Sequence, residues 1–162
     1  MVATATLRDR ALAVLETVTD PEIPVLTIAD LGILRDVAVH GKRVEVTITP
    51  TYSGCPAMNI ISLEIETALA RAGIEARVRT SLSPAWTTDW LTDAGRRKLA
   101  AFGIAPPERT GSRRALFGES RPACPLCGSA DTEQISEFGS TACKSLHRCR
   151  ACREPFDAFK CH

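Results

Sequence analysis

Apolar residues recur at helical spacing from Leu7 to Val18, at Leu7, Ala11, Val14, Leu15 and Val18, and the run stops at Asp20-Pro21. This predicts one amphipathic helix. Pro21 and Pro24 keep the next segment out of helix, and residues 25–34 carry a turn around Asp30-Leu31-Gly32. Val37 and Val39, then Val44, Val46 and Ile48, alternate with polar neighbours on either side of His40-Gly41-Lys42, the pattern of a β-hairpin. A second helical stripe follows at Met58, Ile61, Ile65, Ala68, Leu69 and Ala72 and stops at Gly73. Residues 74–81 read as a third strand with Ile74, Ala76 and Val78 on one face, and a last helix is expected from Thr92-Asp93 to Gly103. The order α-β-β-α-β-α predicts a two-layer α+β domain with a three-stranded mixed sheet and a right-handed β-α-β crossover.

The pattern lapses over residues 106–122, which are rich in proline, glycine, serine and arginine. This stretch reads as a linker, with Leu116-Phe117 as a candidate anchor and Arg109, Arg113, Arg114 and Arg121 as either a solvated tether or a patch for a partner or phosphate. The expected organisation is an α+β domain at 1–105, a linker at 106–122 and a small module at 123–162.

Cysteine spacing gives that module its chemistry. Cys124-Pro125-Leu126-Cys127-Gly128 and Cys149-Arg150-Ala151-Cys152 are two knuckles, each presenting two thiolates to one ion. Residues 133–138 and 145–148 can supply the strands of a zinc ribbon, so a tetrahedral four-cysteine zinc site is expected. So small a module buries little apolar surface, and metal binding would supply on the order of 10 kcal/mol towards its folding. An iron–sulfur cluster or a redox dithiol is the other reading of the four cysteines, but neither pair begins a helix after a strand, the usual dithiol context. Cys143 and Cys161 are either additional metal ligands or small buried residues, and His147 and His162 stand near them in sequence.

One cysteine stands apart. In Thr51-Tyr52-Ser53-Gly54-Cys55-Pro56, the proline fits the first position of the following helix, which makes Cys55 the expected N-cap residue. A thiol there would face free backbone amides and the positive end of the helix dipole, which lower its pKa and favour metal binding or group transfer. The alternative is a small buried residue in place of serine. Asp20, Glu22 and Asp30 are turn and cap residues on one reading and carboxylates that could help Cys55 hold a metal on another. Trp86 and Trp90 are expected in the core.

Composition narrows the functional classes. The 162 residues carry a formal net charge of +1, so no broad positive field favours nucleic acid. Charges interrupt the first ten residues and no apolar run reaches bilayer length, which predicts a cytoplasmic protein without membrane contact. An odd number of cysteines, seven, with four in C-x-x-C pairs, fits a reducing compartment better than a disulfide scaffold.

The segments DPEIPVLTIADLGILR, TPTYSGCPAM and SPAWTTDW resemble the SufT-like iron–sulfur assembly domain. Together with CPLCGS and the cysteine-rich C-terminus, the chain resembles the phenylacetate-degradation PaaD family, encoded with the subunits of phenylacetyl-CoA epoxidase. The resemblance covers nearly the whole chain apart from the linker. It implies a non-catalytic accessory protein that assists iron–sulfur or metal maturation of the epoxidase subunits, above all the iron–sulfur reductase. Cys55 would carry transient iron or a cluster, Asp20, Glu22 and Asp30 would match the acidic positions of the assembly domain, and zinc would be structural. No Glu-x-x-His occurs, which argues separately against a di-iron oxygenase subunit. Two other classes compete with this reading. One is a zinc-ribbon module contacting nucleic acid. The other is a thiol-dependent enzyme using Cys55, although the nearest histidine in that domain, His40, stands at a hairpin tip.

Overall fold

The computed structural model describes residues 5–112 and 121–160. Arg113, Arg114, Leu116, Phe117, Cys161 and His162, singled out above, lie outside the described residues. The chain forms two compact units, Met1–Trp86 and Thr87–His162. The first contains α1 (Leu7–Leu15), β1 (Leu34–His40), β2 (Arg43–Ile48), α2 (Ala57–Arg71) and β3 (Glu75–Thr80). The second contains a 3-10 turn (Thr88–Trp90), α3 (Asp93–Phe102), β4 (Ile104–Ala105), β5 (Thr132–Ser136), β6 (Lys144–Cys149) and β7 (Pro155–Phe159).

In the first unit the sheet order is β1-β2-β3. β1 and β2 pair antiparallel across the short Gly41-Lys42 loop, while β2 and β3 run parallel around α2, with Val46 opposite Val78. This is the mixed three-stranded sheet that the alternation predicts. Thr6 caps α1 in a reciprocal capping box with Asp9. That helix ends three residues earlier than its apolar stripe suggests, because the amides of Thr17 and Val18 turn to the carbonyls of Val14 and Leu15. Ala11, Leu15, Val37, Val44, Val46, Ile48, Ile61, Ile65 and Leu69 are buried, so both helices place one face in the core. Trp86 is buried too, and its indole Nε1 donates to the Leu31 carbonyl at 2.8 Å, which ties the end of this unit to the Asp30-Leu31-Gly32 turn.

In the second unit the sheet order is β4-β7-β6-β5. β5, β6 and β7 form an antiparallel meander, and two-residue β4 lies parallel to β7 through Ile104–Asp157 and Ala105–Ala158. The hydrophobic pattern groups α3 with the first unit, yet it counts with the second. Its chain continues directly into β4, and a two-residue strand whose partner lies far along the chain leaves no periodic trace. Thr92 caps α3 by accepting from the Gly95 amide, as expected, and the helix ends at Gly103. β7 has no counterpart in the hydrophobic pattern, because Pro155 opens it and only Phe156, Ala158 and Phe159 mark its buried side. No helix among the described residues is long and apolar enough to cross a membrane.

Candidate metal centres

The four-cysteine centre lies in the second unit. Cys124 and Cys127 belong to the loop before β5, Cys149 ends β6, and Cys152 belongs to the turn before β7. Their sulfurs all lie within 4.8 Å of one another. Two separations are 3.8 Å, Cys124 to Cys152, and 3.5 Å, Cys127 to Cys149. A tetrahedral ion with metal–sulfur bonds of about 2.3 Å places its ligands about 3.8 Å apart, so the cluster suits a single ion. An iron–sulfur cluster spreads its cysteines around a wider core.

The knuckles repeat one backbone device. The residue after the second cysteine is left-handed in both, Gly128 at φ 77 and Arg153 at φ 66. In the first knuckle the Gly128 amide donates to the Cys124 carbonyl at 2.8 Å, and in the second the Cys152 amide reaches the Cys149 sulfur at 3.5 Å. That Cys152 amide, helped by neighbouring thiols and the Ala151 amide, outweighs burial and lowers the Cys149 thiol to about 7. A lowered thiol is readier to lose its proton to a metal. Cys143 is not part of this cluster. It is buried, its sulfur lies 3.0 Å from the Thr141 hydroxyl, and its carbonyl accepts from the Lys160 amide.

Cys55 occupies the loop between the carboxyl end of β2 and α2. One hydrogen bond ties the chain that follows the acidic segment to that end of the sheet: the Thr49 amide donates to the Ile33 carbonyl at 2.9 Å. Gly54 at φ 84 makes the turn, in which the Cys55 amide donates to the Tyr52 carbonyl at 3.3 Å. Pro56 rather than Cys55 is the N-cap residue of α2, so Cys55 lies one residue further out than expected.

The expected fall in its pKa is corrected as well. Burial raises the Cys55 thiol, and the charges of Glu22 and Asp20 raise it further. These outweigh the opposing hydrogen bonds from the Ala57 amide and the Tyr52 side chain. The helix start does reach the sulfur, but half-burial beside two carboxylates wins.

The structure thus brings Asp20 and Glu22 to Cys55. Asp20 is buried and its Oδ1 accepts from the amides of Glu22 and Ile23, at 2.8 and 2.9 Å. Asp30 is buried and its Oδ2 accepts from the Thr27 amide at 3.1 Å. Both shape turns, as their sequence context suggests. Tyr52, the residue that sequence reasoning missed at this site, carries no motif signal beyond its place three residues before the cysteine. His40 is exposed at the end of β1.

Two of the ribbon's arginines are engaged with acids. Arg148 and Arg150 both bind Glu133, and Arg150 also lies 3.7 Å from Asp131. Such pairing leaves less free positive charge for a phosphate backbone.

Two known families match the chain. Residues 8–80 match the iron–sulfur cluster assembly protein family, and residues 108–160 match the PaaD zinc beta ribbon domain. An Escherichia coli protein provisionally named as a component of 1,2-phenylacetyl-CoA epoxidase is 50% identical over 150 residues, covering 92% of this chain and 90% of that one. The Bacillus subtilis "Fe-S protein maturation auxiliary factor YitW" is 35% identical over 101 residues, 60% of this chain and 95% of its own. Among solved structures, a DUF59 domain from Bacillus anthracis superimposes with a TM-score of 0.53 at 26% identity, covering 57% of this chain and 90% of that one. Near-complete coverage by the first relative, joined to an assembly domain and a PaaD ribbon in one chain, places this protein in the PaaD family.

Proposed function

We propose that this protein is an accessory factor of a phenylacetyl-CoA epoxidase system that assists iron–sulfur or metal maturation of the epoxidase subunits. Its foremost client would be the subunit that carries an iron–sulfur centre. The carrying observation is the pairing of two different thiol sites on one chain: a closed four-cysteine cluster and a separate half-buried Cys55 flanked by Asp20 and Glu22. A closed set of four sulfurs has no open position for exchange, so the ribbon holds zinc for structure and presents a docking surface. Cys55, with the charges of Glu22 and Asp20 acting on it and no second thiol grouped with it among the described residues, can take iron or a cluster as cargo and give it up again. Relatives named as an Fe–S maturation factor and as an epoxidase component support an accessory maturation role. The raised Cys55 pKa argues against a resident nucleophile, because little of the thiol is then in the thiolate form.

Anaerobic purification with metal and sulfide analysis tests this reading. The expected result is one zinc per chain that survives Cys55→Ser, plus iron that disappears in that variant. Zinc alone in the wild-type protein, after reconstitution with ferrous iron and sulfide, would remove Cys55 as a carrier.

A further inference from the structure

Helix α2 carries apolar residues on both of its faces. Ile61, Ile65 and Leu69 are buried, while Pro56, Asn59, Ile60, Leu63, Thr67 and Ala70 are all exposed. At about 100° per residue these six positions fall on one outward ridge, opposite the buried stripe. None of them is charged, and the two large side chains stand well out in solvent, Ile60 at 50% and Leu63 at 65% exposure. The other helices follow the usual rule for a surface helix, with Arg8, Asp9 and Arg10 exposed on α1 and Asp93, Arg97 and Lys98 exposed on α3. A helix with apolar side chains all round is one that is covered on both sides.

Position and charge select what covers the ridge. It begins at Pro56, the residue after Cys55, and at the helical rise Leu63 lies about 12 Å along the axis from that cysteine. A protein that takes cargo from Cys55 must reach its sulfur, and a standard interface covers about 800 Å² of each partner, so one footprint spans both the thiol and the ridge. Acids flank it. Glu64 stands on one side of Leu63 and Glu66 on the other, and the charges of Glu22 and Asp20 act on the thiol at the near end. Glu66 accepts from the Val78 amide at 3.3 Å, a hydrogen bond that does not neutralise its charge. The one basic residue of α2, Arg71, lies two turns beyond Leu63, in the last turn. A second copy of this chain suits that pattern poorly, because α2 packed on α2 about a two-fold axis at Leu63 sets Glu64 against Glu64 of the other copy.

We propose that this ridge is the surface on which the client of Cys55 docks, and that the client presents to it an apolar strip flanked by lysine or arginine. The inference rests on the carrier reading of Cys55 and adds where the client sits. The strip covers Ile60 and Leu63, its basic flanks meet Glu64 and Glu66, and the client's acceptor site comes to the Pro56 end, over the thiol. Burial of the two large side chains supplies affinity, and the flanking charges fix the orientation of the client along the helix.

The test is binding of the full-length, zinc-loaded protein to the iron–sulfur subunit of the epoxidase prepared without its cluster, measured by calorimetry at low and high salt. Replacing both large side chains, Ile60→Ser with Leu63→Ser, should weaken binding at least about tenfold. Val39→Ser removes an exposed apolar side chain from β1 instead and should leave affinity within about twofold. Glu64→Lys should weaken binding at least about threefold at low salt and lessen its salt dependence, and it decides the matter alone should the double variant fail to fold. Cys55→Ser should bind the subunit as the wild type does and load no iron. Docking and carriage are thus read separately: iron loading by Cys55→Ser ends the carrier reading, while the ridge is judged by affinity. No binding by the wild-type protein, wild-type affinity in the double variant, tighter binding by Glu64→Lys, or a wild-type dimer in sedimentation that the double variant abolishes overturns the proposal.

Discussion

Cys55 shows how one residue's chemistry is decided by neighbours distant in sequence. The sequence displays a cysteine, a proline and a helix, and those three alone argue for a lowered pKa. Glu22 lies far back in the chain, and only the fold brings its charge to the sulfur. Because thiolate is the charged form, burial and negative neighbours postpone ionisation, so alkylation of Cys55 by iodoacetamide should rise at a higher pH than for an ordinary thiol. Glu22→Gln should move that midpoint down towards the ordinary value, measured by mass spectrometry of the modified peptide across pH. A midpoint unchanged by the substitution would show that the carboxylate does not act on the sulfur. The second knuckle offers a sharper residue-scale case. Arg153 adopts a left-handed φ of 66°, the role that Gly128 fills in the first knuckle. Left-handed backbone costs a side-chain-bearing residue about 1–2 kcal/mol, partly offset by the unfolded-state freedom of glycine. Arg153→Gly should therefore stabilise the metal-loaded protein by roughly 0.5–1 kcal/mol, while Gly128→Ala should destabilise it by about 1–2 kcal/mol, both read from denaturant melts.

Elements with their own periodicity are legible in the sequence, and those held by distant pairing are not. α2 shows its buried stripe at Ile61, Ile65 and Leu69 in any reading of the chain, and Val44, Val46 and Ile48 mark β2 as plainly. β4 has two residues and β7 has five, opened by a proline, so neither could announce itself. The four cysteines are legible by spacing alone, because a knuckle is a local structure and the metal supplies the long-range link. That link also sets what removal of the metal does. Cys124 and Cys149 are buried among Ala105, Phe156 and Ala158, so the thiols are part of the small core as well as the metal site. Chelation under reducing conditions should melt β5, β6 and β7, with amide exchange in those strands rising to unprotected rates. Exchange in α2 and β2 should change little, since they belong to the other compact unit. The loss should reach the order of 10 kcal/mol that structural zinc supplies to such modules. At the first unit's helix start, Thr6→Ala should cost about 1 kcal/mol by breaking the capping box.

At the scale of the whole molecule, two units each contribute one thiol chemistry. The assembly-like unit offers a single cysteine at the carboxyl end of a strand, beside carboxylates that also shape its turns. The ribbon offers four cysteines whose sulfurs lie close enough to suit one ion, and two of its arginines, Arg148 and Arg150, are bound to Glu133. This division predicts that the two sites are separable: substitution at Cys55 should leave zinc content intact, and substitution at Cys127 should lower zinc content whether or not Cys55 is present. The most direct test of the account is made on the client. Epoxidase subunits co-expressed with wild-type or Cys55→Ser protein are purified anaerobically, and their iron and acid-labile sulfide are measured per chain. The account predicts iron and sulfide at least severalfold lower in the iron–sulfur subunit with Cys55→Ser, with zinc in the accessory protein unchanged. Full loading of that subunit by the variant would contradict it.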